Sequence, residues 1–239
     1  MARRRFFVPQ VRRGVAELTG EEAEHLVRVL RAEVGQVYEI SDNENLYLAE
    51  VEVARKSQVT FKVLEEMALP AAEAEIVLVA ALIKFDRFEW IVEKATELGV
   101  SEIRPFAATR TERGLAQAAE KRMQRWEKIA QEASQQARRV RLPVIAEAAS
   151  FREAMGTEAS VRLLLDEESE TAIWRCLPET RAVTDRVALL LGPEGGWTEE
   201  ERESARVSGW RGCSLGGTVL RAETAAAAGI AVVRAAWLG

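Results

Sequence analysis

From residue 76 onward, short unbroken apolar runs take turns with segments of helical period, and this alternation limits the fold more than any other feature. The run "IVLVAAL" (76–82) is apolar at every position, and "VRLLLD" (161–166) and "RVALLLG" (186–192) read as further strands. Strands of that kind are covered on both faces, as in a parallel sheet flanked by helices. Helix patterns stand between them. In "DRFEWIVEKATELG" (86–99), Phe88, Ile91, Val92, Ala95 and Leu98 form one stripe, Asp86 with Glu89 makes a capping box, and Gly99 is the stop signal. One long helix is predicted over 115–137, with Trp126, Ile129, Ala130 and Ala133 on one side. Ser150 with Glu153 and Thr198 with Glu201 open two more. "VSEIRPF", "PVIA" and "RGCSLG" read as further strands, and a last helix runs to Trp237.

Residues 1–67 follow another rule. "RFFV", "GVAEL", "QVYEI", "LYLAEVEVA" and "QVTFKVLE" are short β segments, some alternating apolar with polar, and one helix, "EEAEHLVRVLRA", interrupts them. So many strands in so short a stretch suggest a small barrel. The expected division is a barrel over 1–70 and an α/β domain over 71–239, with "ALPAAEAE" (68–75) as the linker.

Several function classes drop out. The longest apolar run, "IVLVAALI", is far too short to cross a bilayer, and the basic start "MARRRFFVPQVRRG" lacks the apolar core of a signal peptide. A cytoplasmic location with no membrane partner is expected. Cys176 and Cys213 form no C-x-x-C pair and read as reduced thiols; with a single histidine, His25, no metal site is expected. The net charge is −5, yet the charge is uneven. Arg3, Arg4, Arg5, Arg12 and Arg13 crowd the start, and residues 104–141 carry ten basic against four acidic side chains. Either run alone reads as a solvated surface, but two basic segments in an acidic chain suit a localised anionic partner.

Two glycine loops follow late strands, where ligands of open α/β sheets bind. The first is "LGPEGGWTEEE" (191–201). It matches neither G-x-G-x-x-G nor G-x-x-x-x-G-K-[ST], and Glu194, Glu199, Glu200 and Glu201 would repel a phosphate at this helix start. The ligand should be neutral or cationic there, held mainly by backbone groups. The second loop is "SLGGTVLRAETAAAAG" (214–229).

These loops resemble the two signature loops of the SPOUT methyltransferases with a deep trefoil knot, above all the uracil-N3 methyltransferases of bacterial 16S ribosomal RNA. "RRFFV", "HLVRVLR", "KFDRFEWIVEKATELGVSEIRPF" and "RWEKIAQEASQQARR" are similar to that family's blocks in the same order, so the likeness covers nearly the whole chain. The resemblance implies a PUA-like RNA-binding barrel, a knotted α/β domain with a mostly parallel sheet, S-adenosylmethionine as cofactor, a homodimer, and 16S rRNA within the small ribosomal subunit as partner.

It also implies site residues. Leu191, Gly192, Pro193, Glu194, Gly195 and Gly196 belong to the first cofactor loop, and Ser214, Leu215, Gly216, Leu220, Thr224 and Ala225 to the second. Leu165 either lines an adenine pocket or is an ordinary core leucine, and Asp166 has no assigned role. Arg221 is the expected stabiliser of a uracil anion. Glu194, Glu223 or solvent takes the proton. Arg3, Arg4, Arg5, Arg28, Arg31, Lys84, Arg87, Arg110, Gln136 and Arg139 are expected to meet RNA, whereas His25 reads as a satisfied structural histidine. The rival readings are a nucleotide- or phosphate-binding α/β enzyme, a non-catalytic RNA-binding assembly factor, and a SPOUT enzyme of another RNA site.

Overall fold

The computed structural model describes residues 4–238, so Arg3 lies outside the described residues. The chain divides into two compact units. The first comprises residues 1–71 together with 134–142, and the second 72–133 together with 143–239. The expected boundary near 70 therefore misses one later stretch, 134–142, which groups with the first unit.

The first unit holds one six-stranded mixed sheet. Its elements are β1 (Arg5–Phe7), β2 (Val11–Arg12), β3 (Val15–Thr19), α1 (Gly20–Arg28), β4 (Val37–Ser41), β5 (Leu46–Arg55) and β6 (Gln58–Met67). The strand order is β1-β4-β5-β6-β3-β2, antiparallel except for β1 on β4. The alternation of β3 is read directly, because Ala16 and Leu18 are buried while Val15, Glu17 and Thr19 are exposed. Phe6, Leu26, Ile40, Val51, Val59 and Phe61 form its core. α1 is shorter than its sequence pattern, ending at Arg28 rather than Ala32.

The second unit is a three-layer α/β structure. Its elements are β7 (Glu75–Ala81), α2 (Phe85–Glu97), β8 (Glu102–Ala107), α3 (Leu115–Ala119), a 3-10 turn (Glu120–Arg122), α4 (Met123–Gln136, whose last three residues are grouped with the first unit), β9 (Val144–Ile145), β10 (Ala149–Ser150), α5 (Phe151–Met155), β11 (Val161–Leu165), α6 (Ile173–Cys176), β12 (Arg186–Leu191), α7 (Glu199–Val207), β13 (Arg211–Cys213) and α8 (Ala222–Ala236). All pairings in this sheet are parallel. The continuous apolar runs have the expected cause. Ile76, Leu78, Leu189 and Leu191 feed one core, while Val77, Val79, Ala188 and Leu190 feed the core on the opposite face.

Two local expectations fail. The predicted long helix is split by the 3-10 turn at 120–122. The Asp86–Glu89 capping box is absent: α2 begins one residue earlier, after Lys84, and its start makes no side-chain cap. Phe85 instead packs edge-on to Trp126 with ring centres 6.0 Å apart. The boxes at Ser150 and Thr198 are both formed.

The strand order β10-β8-β7-β12-β11-β13 carries the topological feature that positions the site. β12 follows β11 in sequence yet sits between β11 and β7. The chain then crosses to the far side of β11 to make β13, and α8 returns to pack on α2, β7 and β12. The ends of β11, β12 and β13 are thereby gathered at one edge, with residues 171–173 of the β11–β12 connection bonded to Ser214.

Candidate active site

The first glycine loop is fixed by an indole. Trp197 is 2 % exposed, donates its Nε1 hydrogen to the Leu165 carbonyl at 2.9 Å, and stacks on Phe106. A Cβ on Gly192 would stand 2.8 Å from that indole, so residue 192 must be glycine for Trp197 to seat itself. Gly196 holds φ +70° and donates its N–H to the Pro193 carbonyl at 2.9 Å, closing the turn. Next comes the α7 capping box. The Glu201 carboxylate, 3 % exposed, accepts from Thr198 N at 3.0 Å and also from Thr109 N at 2.8 Å. Beside Thr109, Arg110 donates Nη1 to the Gly195 carbonyl at 2.7 Å. The connection after β8 therefore grips the loop through Glu201 and Arg110 together.

The second loop is held by the β11–β12 connection. Ser214 accepts from Ile173 N at 2.9 Å and donates its own N–H to the Thr171 carbonyl at 2.8 Å. Its hydroxyl turns back to Gly216 N at 3.2 Å. α8 begins directly after Arg221, its N-cap residue. Gly229 of α8 lets the helix approach the Leu165 side chain, which a Cβ there would meet at 3.0 Å. Leu165 is thus core and wall at once.

Between the loops lies a cleft of about 450 Å3. Its wall includes Leu165, Leu191, Gly192, Pro193, Glu194 and Gly196, and across from them Ser214, Leu215, Gly216, Leu220, Arg221 and Ala225. Two expected cofactor residues stand outside the wall: Gly195 faces Arg110, and Thr224 is exposed on α8. Glu223 is outside it as well, with a buried Oε2 that has no hydrogen-bond partner. Arg87, expected to meet RNA, lines the cleft and is ion-paired with Glu194.

Sequence reasoning missed Asp166, Glu167, Trp197, Cys213, Thr218, Val219 and Ala222 in the wall. Asp166 now has a role. It is 8 % exposed and accepts from Arg202 Nε at 3.0 Å and from Glu168 N at 3.2 Å, which anchors α7 to the end of β11. Trp197 was legible as the aromatic directly after the glycine pair. Cys213 is fully buried, and burial pushes its thiol up to about 12, so it is no nucleophile near neutrality. The wall carries Asp166, Glu167 and Glu194 as well as Arg87 and Arg221, a balance that suits a ligand without net negative charge.

The expected RNA-facing residues are scattered by the fold. In the first unit Arg4, Arg28 and Arg31 are exposed. Arg5 is not: it is 7 % exposed, paired with Glu39 at 2.8 Å and hydrogen-bonded to the Arg138 carbonyl. The parallel register of β1 on β4 sets Arg5 opposite Glu39, which turns the guanidinium inward and corrects its assignment to RNA. Arg139 donates Nε to the Arg141 carbonyl at 3.1 Å, and Gln136 is exposed. His25, read as a satisfied structural histidine with RNA contact as the lesser alternative, is exposed on α1. In the second unit Lys84 is exposed, and Arg110 is committed to Gly195. Among the described residues no cluster of three or more potential metal ligands occurs, and no helix is long and apolar enough to cross a membrane.

Comparison with known proteins agrees with this geometry. Residues 70–234 match the RNA methyltransferase domain family, and residues 18–64 match the RNA methyltransferase PUA domain family. The ribosomal RNA small subunit methyltransferase E of Bacillus subtilis is 30% identical over 92% of this chain and 92% of its own length. The enzyme of the same name from Synechocystis is 30% identical over 95% of this chain and 75% of its own length. Among solved structures, ribosomal RNA small subunit methyltransferase E from Neisseria gonorrhoeae bound to S-adenosyl methionine superposes with a TM-score of 0.88 at 28% identity, covering 99% of this chain and 98% of that one. With a glycine-loop cleft in the α/β unit and a separate mixed β unit, these matches show that the chain belongs to the ribosomal RNA small subunit methyltransferase E family.

Proposed function

We propose that this chain methylates N3 of a single uridine in 16S rRNA, the position numbered 1498, using S-adenosylmethionine held in the cleft between the two glycine loops. The observation that carries this reading is the cleft itself. Its volume of about 450 Å3 falls within the range of small-molecule sites. Leu165, Leu191, Leu215 and Leu220 offer apolar walls for an adenine and a thioether chain, while the glycine loops offer backbone groups. No phosphate cradle is built, and the carboxylates of Asp166, Glu167 and Glu194 suit a sulfonium and an ammonium. The residues fit the group.

Bound there, S-adenosylmethionine supplies an electrophilic methyl carbon on a positively charged sulfur. The protein's part is placement. The first loop is stiffened by Trp197 and Arg110, and the second by the bonds of Ser214, so both walls are set before ligand arrives. Arg221, at the start of α8 and in the cleft wall, stabilises the negative charge that grows on the uracil ring as the N3 proton departs. Of the two candidate carboxylates only Glu194 is in the wall, and Arg87 orients it; Glu194 takes that proton. The N3 lone pair forms the new N–C bond while the C–S electrons leave with sulfur. No thiol is used, in keeping with the buried Cys213.

The same reading assigns residues 1–70 to RNA binding, with Arg4, Arg28 and Arg31 as phosphate contacts, and residues 71–239 to a knotted catalytic domain. The crossing from β12 to β13 with the return of α8 supports the knot. It further assigns a homodimer acting in the cytoplasm on the small ribosomal subunit. The test is mass spectrometry of nucleosides from 16S rRNA of cells with and without the gene, paired with calorimetric titration of S-adenosylmethionine, ATP and NAD. Appearance of 3-methyluridine and selective binding of S-adenosylmethionine are expected. A 5-methyluridine product, or tight binding of ATP or NAD instead, overturns the reading.

A further inference from the structure

We propose that the second unit carries an anion site, built by Arg162 and Arg211 and suited to a phosphate group, at the opposite end of the sheet from the glycine-loop cleft. The site is a recess of about 340 Å3 bordered by Ser160, Arg162, Cys176, Pro178, Gly209 and Arg211. Arg162 lies on β11 and Arg211 opens β13, two neighbouring parallel strands. Both arginines stand at the amino-terminal ends of their strands, whereas Leu165 and Cys213 at the carboxyl ends face the cleft. The recess is therefore separate from the methyl-transfer machinery, and the proposal does not depend on it.

The charges in the recess are uncompensated. Among the described residues neither Arg162 nor Arg211 has an ion pair. Arg162 donates Nη1 to the Ser208 carbonyl at 2.9 Å, which fixes its guanidinium plane, yet its Nε is buried and has no acceptor. Arg211 reaches the Cys176 carbonyl only at 3.4 Å. No carboxylate borders the recess. Asp185 meets the Ser160 hydroxyl at 3.4 Å but is engaged by Ala182 N at 2.7 Å and Trp237 Nε1 at 3.0 Å. The Arg162 Nε itself is closed off from solvent, so an oxyanion in the recess is met by the outer guanidinium N–H groups of Arg162 and by Arg211. Two guanidinium planes, one held in place by a helix-end carbonyl, suit the several oxygens of a phosphate through paired hydrogen bonds. The phosphate is either free or part of an RNA backbone, and the two sources differ in one measurement.

Arginine-detected 15N NMR of the full chain, titrated with inorganic phosphate at constant ionic strength, follows the Arg162 Nε–H directly. A saturable shift of that resonance is expected. Arg211→Met, at an exposed position, should weaken the phosphate affinity roughly tenfold, the loss of one charge-assisted hydrogen bond. Arg221→Ala should leave it unchanged. Arg211→Gln replaces the Met variant should that one not fold. A single-stranded RNA is the second probe. Weaker RNA binding by the variant, with a salt slope reduced by about one, identifies a backbone phosphate. Unchanged RNA binding with a lost phosphate response identifies the free ion. Absence of a saturable Arg162 shift at millimolar phosphate, or an identical shift in the folded Arg211 variant, overturns the site.

Discussion

Replacing Gly192 with alanine tests whether the first loop is built around the indole of Trp197. The added carbon would lie 2.8 Å from Cε2, 3.0 Å from Nε1 and 3.1 Å from Cζ2 of that ring. The indole cannot retreat freely, because it is fully enclosed, bonded to the Leu165 carbonyl and stacked on Phe106. Overpacking of this kind costs about 1–3 kcal/mol. Trp197→Phe shrinks the ring at the point of clash but also loses the hydrogen bond and opens a cavity, at a cost of about 2–3 kcal/mol. The two changes therefore should not add. In Gly192→Ala/Trp197→Phe the new methyl group occupies part of the vacated space, so the double variant should be more stable than the sum of the singles by about 1 kcal/mol or more. Urea unfolding of the four proteins, followed by far-ultraviolet circular dichroism, measures the cycle. Gly192→Ala should also weaken S-adenosylmethionine binding, since residue 192 lines the cleft. A harmless single substitution, or strict additivity, would refute the argument that Trp197 dictates the glycine.

Four further outcomes follow from the site and its surroundings. Arg221→Ala should abolish methyl transfer while calorimetry finds S-adenosylmethionine affinity little changed; an active variant removes Arg221 from the mechanism. Cys213→Ser and Cys176→Ser should stay active, and no covalent adduct should form with RNA containing 5-fluorouracil. Because burial raises the Cys213 thiol from 9.0 to about 12, the folded state favours the protonated form. That stability is full below pH 9.0 and is lost as pH rises toward about 12, so urea midpoints should fall over this window and less steeply in Cys213→Ser. Finally, Arg5→Met should destabilise the first unit by about 3 kcal/mol by breaking a buried pair. Arg4→Met should leave stability alone and flatten the salt dependence of RNA binding; equal effects of the two on stability would undo the distinction.

Much of this molecule is legible in its sequence. The two-faced sheet is announced by runs such as "IVLVAAL", since a strand covered on both sides has no polar positions to alternate. The caps at Ser150 and Thr198 are local chemistry, so local residues suffice to find them. The glycine loops could be located and their ligand's charge argued from Glu194 and its neighbours. What escaped was long-range. Nothing linear reveals that β12 enters between β7 and β11, because pairing partners are chosen by packing across more than a hundred residues. The arginine run at the start looks the same whichever way each side chain points. Only the pairing of β1 with β4 turns Arg5 toward Glu39 and leaves Arg4 outside. Glu201 read as one half of a capping box, whereas its second oxygen also holds Thr109, a contact 92 residues away.

The return of residues 134–142 to the first unit has a consequence for synthesis on the ribosome. Ser41 gives its hydroxyl hydrogen to the Val140 carbonyl at 2.6 Å, Asn43 Oδ1 accepts from Leu142 N at 2.7 Å, and Arg138 reaches Glu39. None of these partners exists when the last strand of the first sheet leaves the exit tunnel. Its N-terminal portion must wait while roughly seventy further residues are made, several seconds at ordinary elongation rates, before its fold can be completed. During that interval Glu39 has Arg5 but not Arg138, and the edge near Ser41 and Asn43 is uncovered. A nascent chain stalled before residue 134 should therefore be more sensitive to protease in the β4–β5 turn than one stalled well beyond residue 142, which makes the barrel's maturation a timed event rather than an N-to-C progression.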